Sequence, residues 1–294
     1  MRMQKTFKIL WLSILVIFAC IGIAFTAVFF GMQHGLLNVK GTIMERNAYF
    51  GKVPTVTPTA TSTPEDATNG CQEGFDQEKP CEWNETVQWI VVRDALIKDA
   101  PIINRVAEET GVAPRMIVSA VISEQMRYFT DNREVFKRYF EPLKILVSLS
   151  KFSLGVSGIK QDTGVLIEKF AVSTTSEFYP GVGMDALLAY SDGADHDTEL
   201  YNRLADAKDH YYSYLYTALF LKEIDAQWRK AGYDVSARPD VLVTLFNLGF
   251  YASVPKADPQ VGGALITLGG QKYSFGFLGT RFYHSEELID VFPR

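Results

Sequence analysis

The chain has 294 residues, 47% of them hydrophobic and 21% charged, an ordinary globular composition for one large domain once a membrane segment and a linker are set aside. Its formal net charge is −5, and leaving out the basic N-terminal residues Arg2, Lys5 and Lys8 makes the remainder more acidic still. That balance argues against a nucleic-acid backbone as partner, and it leaves a polysaccharide open.

Residues 1–8 read as a short basic cytoplasmic tail, and the run Ile9–Phe30 carries no charge. At ~1.5 Å per residue such a run crosses a ~30 Å hydrocarbon core, so a single transmembrane helix is expected over 9–30. Basic residues before it, with no acidic one, place the N-terminus in the cytoplasm and everything after the helix outside. A cleaved signal peptide is the alternative, although its apolar core spans only ~7–15 residues. A lipoprotein cut before Cys20 fits less well, because the apolar run continues past the cysteine.

Residues 31–83 read as an extracytoplasmic spacer. Its segment "VPTVTPTATSTPEDAT", Val53–Thr68, lacks the large apolar residues that a core requires. Cys71 and Cys81 are expected to form a disulfide in that oxidising setting, with two free thiols as the alternative. The histidines His34, His196, His210 and His284 show no ligand spacing, so no metal and no cofactor are expected.

Residues 84–294 carry the folded domain, and its pattern is mainly α. Asn84 is the expected N-cap of a first helix, within a triplet that also matches a glycosylation sequon. A second helix is expected to start at Pro101 and stop at Gly111, and a third to start at Pro114. "NREVFKRYFEPLKILVSLSKF", 132–152, predicts one or two helices broken near Pro142. "SLGVSGIKQDTG", 153–164, predicts a tight turn entering a short helix. The stretch from Ala171 is mixed, and its acidic run Asp192, Asp195, Asp197 and Glu199 lacks the regular spacing of a calcium loop. A long helix is expected over Leu204–Lys230, another over Pro239–Leu248, and a short extended pair in the glycine- and aromatic-rich tail from Leu268.

One residue breaks the apolar pattern. In the helix from Pro114, the residues Ile117, Ala120 and Val121 share a stripe, and Glu124 falls on the same stripe. Burial disfavours the charged form of a carboxylate, which is the property a general acid needs. A paired or end-of-helix glutamate, with Arg127 or Arg115 as partner, is the other reading.

Three segments in order add to this. "GVAPRMIVSAVISEQ" resembles the entry to the catalytic helix of the lytic transglycosylase and goose-type lysozyme family. "GVSGIKQ", Gly155–Gln161, resembles that family's glycine-rich segment, and "LFNLG", Leu245–Gly249, resembles its Ala-Tyr-Asn-Ala-Gly. The resemblance covers about residues 84–250 and implies a lysozyme-like α-helical domain whose cleft takes a peptidoglycan glycan strand.

It further implies that Glu124 protonates the oxygen between N-acetylmuramic acid and N-acetylglucosamine, giving a 1,6-anhydro end without a second carboxylate. Gly155 and Gly158 would let the backbone turn beside the sugar. Gln125, Gln161, Phe246 and Asn247 would line or orient the substrate site, and protein partners stay unassigned. Gln125 stands where the family has Ser. Phe246 stands where it has Tyr, so a hydroxyl for the acid would have to come from Tyr128, Tyr251 or Tyr283. Lys160 stands where Met is usual; it should point away from Glu124 or meet a substrate carboxylate. Tyr273, Phe275 and Tyr283 are candidates for sugar faces or for core. A hydrolase using Asp131, Glu141 or Asp162 to direct water, and a catalytically silent glycan-binding scaffold, are the rival functions.

Overall fold

In the computed structural model, which describes residues 81–130, 153–206 and 208–294, the first helix, α1, runs over Val87–Thr110. Its cap is Thr86 rather than the expected Asn84: Thr86 Oγ1 accepts the Trp89 N–H at 3.2 Å, while Asn84 lies in a preceding 3₁₀ turn and donates to Glu287. The helix also continues through Pro101, where two helices were expected. Buried Trp89, Val92, Leu96, Ile103 and Val106 keep one helical stripe on both sides of the exposed proline, and their packing outweighs the lost backbone hydrogen bond. Gly111 caps the end, its N–H bonding to Ala107 O.

Helix α2 (Pro114–Thr130) buries Ile117, Ala120 and Val121. Strands β1 (Ser153–Leu154) and β2 (Ile159–Lys160) pair antiparallel around the turn 155–158 and lead into α3 (Gln161–Val172). After a loop come α4 (His196–Ala205) and α5 (Tyr211–Lys230). The long helix therefore starts later than Leu204, which belongs to α4. Two aspartates make the break: Asp206 Oδ1 accepts the Lys208 and Asp209 amides, and Asp209 Oδ1 accepts the Tyr211 amide. Helix α6 (Pro239–Leu248) precedes the hairpin β3 (Leu265–Leu268) and β4 (Gln271–Ser274), and α7 (Phe275–His284) follows.

Helix α5 is the centre. Ser213 to Leu221 are all buried, as expected of a helix surrounded by neighbours, here α1, α2, α3, α4 and α6. Buried Asp99 of α1 ties to it through His210 Nδ1 at 2.6 Å and Tyr214 OH at 2.7 Å. On the other flank, Glu168 of α3 accepts from the hydroxyls of Tyr190 and Tyr216 and meets His196 Nε2 at 2.7 Å.

Helix α7 packs against α2 and α6, and at Gly279 it presses on the Ser119 carbonyl and the Val243 side chain with no room for a Cβ. Arg115 holds this arrangement from α2. Its buried guanidinium donates to the carbonyls of Phe282, Tyr283, Ser285, Glu287 and Phe292, at 2.6 to 3.1 Å.

The expected architecture, a lysozyme-like domain behind a single membrane-crossing helix, is corrected by these elements. The domain is mainly helical, with seven α-helices among the described residues, and no described helix is long and apolar enough to cross a membrane. The longest two, α1 and α5, bear charged residues such as Arg93, Asp94, Lys222 and Arg229 on their outer sides. The run 9–30, the spacer up to residue 80 and the segment 132–152 lie outside the described residues. Cys81 is disulfide-bonded, but Cys71, its expected partner, also lies outside them. Cys81 is buried against the β3–β4 hairpin, its N–H donating to Gly269 O at 2.9 Å.

Replacing Arg115 by Leu leaves five carbonyls without their donor, so unfolding by urea should show a loss on the order of 3 kcal/mol or more. An unchanged midpoint would show that the tail is held by other contacts. Buried Glu223 of α5 has no hydrogen-bond partner among the described residues, and burial pushes its carboxyl well above the ordinary range. A carboxyl raised in the folded state contributes stability at low pH that is lost as pH rises through its folded value. Glu223→Gln should therefore gain stability relative to the parent between pH 4 and pH 8. Equal differences at both pH values would refute this.

Candidate functional site

The end of α2, the β1–β2 turn, the start of α3, the end of α6 and the start of α7 enclose a cleft of about 570 Å³. Glu124, Gly158 and Asn247 all line it, although they are far apart in sequence. Glu124 lies on the buried stripe of α2, its side chain 15% exposed and its carboxyl turned into the cleft. The β1–β2 turn stands behind that carboxyl because two bonds fix it. Gln125 Nε2 donates to Val156 O, and Ser157 Oγ donates to Ser213 O at 2.8 Å.

At Gly158 the backbone touches Glu124 directly: φ is +66°, and a Cβ there would overlap the Glu124 carboxyl. The sequence requires glycine twice over at this point, for conformation and for space. Gly155, also left-handed, packs instead against Leu204 O and Ser213 Oγ, so it shapes the turn and does not face the cleft.

Across the cleft, Asn247 Oδ1 accepts the Ala264 N–H at 2.8 Å, which orients the amide and leaves Nδ2 to donate to a ligand. Phe246 forms part of an aromatic lining with Phe220, Phe250 and Phe275, meeting Phe220 edge-on at 5.4 Å. Tyr251 and Leu248 stand at the rim, 92% and 53% exposed. Asp162 and Lys160 add one charge of each sign.

Several expected residues lie elsewhere. Gln161 begins α3 and donates to Asp197 O at 3.0 Å, so it braces α4 and does not line the cleft. Tyr283 packs near Arg115, to which its carbonyl accepts, and Tyr273 is buried against Phe277. Phe275 serves both duties, fully buried yet at the cleft wall. In the acidic run, Glu199 pairs with Arg203 at 2.6 Å, and among the described residues no group of three or more His, Cys, Asp or Glu side chains is placed to hold a metal. Asp131 and Glu141 lie outside the described residues, and so does the Tyr128 side chain.

Glu124 pairs with Arg127, one turn on along α2. Its Nη2 lies 2.7 Å from Oε1 and 2.6 Å from Oε2, and its guanidinium sits over the Phe275 ring at 5.6 Å. Arg115, the other sequence candidate, is committed to the C-terminal carbonyls. The i,i+3 spacing of Glu124 and Arg127 was visible in the sequence; what it did not reveal is that the pair faces a cleft. Phe220 and Phe250 were missed as lining residues, since an aromatic at helical spacing reads as core.

Gly158→Ala forces a left-handed alanine against the carboxyl, so it should displace Glu124 and cost about 1 kcal/mol of stability. A thermal melt and a ligand titration check this, and a variant with parental binding and stability would show that the carboxyl has room to spare. Comparison of the chain with protein-family models, with curated proteins and with solved structures returns no match.

Proposed function

We propose that the cleft takes a peptidoglycan glycan strand and that Glu124 cleaves the bond between N-acetylmuramic acid and N-acetylglucosamine. The observation that carries this reading is the placement of one largely shielded carboxyl, backed by the Gly158 main chain, in the same groove as a pre-oriented amide and aromatic faces. Polar anchors beside ring faces are what a chain of amphipathic sugar rings requires. An extracytoplasmic setting agrees with the disulfide at Cys81.

In the proposed reaction, Glu124 gives its proton to the glycosidic oxygen as the bond to C1 breaks. The same carboxylate then takes the proton of the muramyl 6-hydroxyl as that oxygen closes on C1. The products are a 1,6-anhydro end and a free 4-hydroxyl, and no water is consumed. Asn247 Nδ2 orients the strand, and Phe246 with Tyr251 presents ring faces.

Hydrolysis is the second reading, and Asp162 favours it because a second carboxylate in the cleft is what the direction of water requires. Purified cell-wall sacculi separate the readings by the mass of their products: anhydro-muramyl ends for the first, reducing ends for the second. Glu124→Gln should lower digestion by about 10²–10⁴-fold. Undiminished digestion would dismiss both enzyme readings, and a parent that binds sacculi without cutting them would make the protein a glycan-binding scaffold.

A further inference from the structure

Thr244 and Asn247 stand three residues apart on α6, so they project from one face of the helix, toward the segment 262–264 that leads into β3. Thr244 is buried. Its Oγ1 donates to Asp240 O at 2.6 Å and accepts the Gly262 N–H at 3.0 Å. Gly262 O in turn accepts the Gly276 N–H at 2.7 Å, and Ala264 O accepts the Phe275 N–H at 2.9 Å. The segment is thus clasped between α6 and the start of α7. Within it Gly263 takes φ +91°, and a Cβ there would lie 2.8 Å from Asn247 Oδ1 and 3.1 Å from Phe275 Cβ.

The clasp decides the polarity of Asn247. A side-chain amide can turn over and exchange its oxygen for its nitrogen with almost no change of shape, so packing alone does not choose between the two. Here the Ala264 N–H is held in place by the bonds around it, and as a donor it requires an acceptor. The Asn247 oxygen turns to it at 2.8 Å, because the reversed amide would set donor against donor.

We infer that Thr244 is a positioning residue for the cleft: the clasp it anchors holds Asn247 with its donors turned to the ligand, so the group taken there is a carbonyl oxygen and not an ammonium. A sugar hydroxyl meets either polarity by rotating, so a fixed donor does not tell hydroxyls apart. A carbonyl oxygen only accepts and an ammonium only donates, and between these a fixed donor discriminates. On a chain of acetamido sugars the carbonyl is that of the acetamido group, and loss of the acetyl group puts an ammonium in its place. The glycan as carrier of the carbonyl rests on the proposed function, whereas the orientation of Asn247 does not.

The test uses the full chain and two probes, the trimer of N-acetylglucosamine and the trimer of glucosamine, at a mildly acidic pH that keeps the amines charged. Glu124 and Asp162 attract the charged trimer in the parent and in the variants alike, so the quantity to read by calorimetry is the change in the ratio of the two affinities. Thr244→Val keeps the shape and loses the hydroxyl; it should weaken the acetylated trimer about three- to tenfold and leave the other as it was. Thr244→Ser should restore most of that loss. Gly263→Ala, which presses on Asn247 from the opposite side without altering Thr244, should shift the ratio in the same direction as Thr244→Val. Deuterium exchange of the Ala264 amide, followed by NMR, should be slow in the parent and about tenfold faster in Thr244→Val. Equal weakening of both trimers, or a ratio that neither Thr244→Val nor Gly263→Ala moves, overturns the inference. A parent that binds neither trimer overturns the proposed function together with the acetamido carbonyl as ligand, and rapid Ala264 exchange in the parent overturns the clasp itself.

Discussion

The Arg115 guanidinium is the junction on which the rest of the domain depends. A buried cation is costly unless every donor is used, and this one spends its donors on five main-chain carbonyls of the C-terminal segment. That binds α7 to α2, and the absence of a side chain at Gly279 lets the two helices approach closely. Phe275 is thereby fixed at the cleft wall, and Ser123 Oγ bonds its carbonyl at 2.9 Å, one residue before Glu124. The cleft owes its depth to this chain of contacts, although Arg115 itself lies outside the lining.

Glu124 sits between two opposing demands. Its burial on the apolar stripe and the pressure of the Gly158 main chain make it a shielded group, while Arg127 supplies the counter-charge that a shielded carboxylate requires. A carboxyl held in this way is fixed in position and paired with a cation at the cleft. Its placement comes from the Gly158 backbone and from Gln125, which holds the turn through Val156 O.

Much of the helical frame was legible from apolar spacing and stop signals. Gly111, Pro114 and the pair Pro239 and Gly249 mark real helix ends, because their backbone requirements are local. Where packing competes with a local signal, packing wins: α1 passes through Pro101, and Thr86 takes the cap from Asn84. The aspartates that end α4 and delay α5 acted through side-chain bonds to nearby amides, a signal present in "DAKD" that apolar periodicity overlooks. The membrane-helix expectation rested on a run outside the described residues, and the described helices are amphipathic or enclosed by neighbours.

By itself the sequence determined that Glu124 lies on a buried stripe, that Gly158 sits at a turn and that Asn247 ends a helix, since these follow from periodicity and backbone preference within a few residues. Only the tertiary structure decided which of them meet. It brought Glu124, Gly158 and Asn247 to one cleft, sent Gln161 to α4, and gave Glu124 to Arg127 and not to Arg115. Periodicity fixes the side of a helix that a residue occupies, but the neighbour on that side is set by how helices distant in sequence pack together.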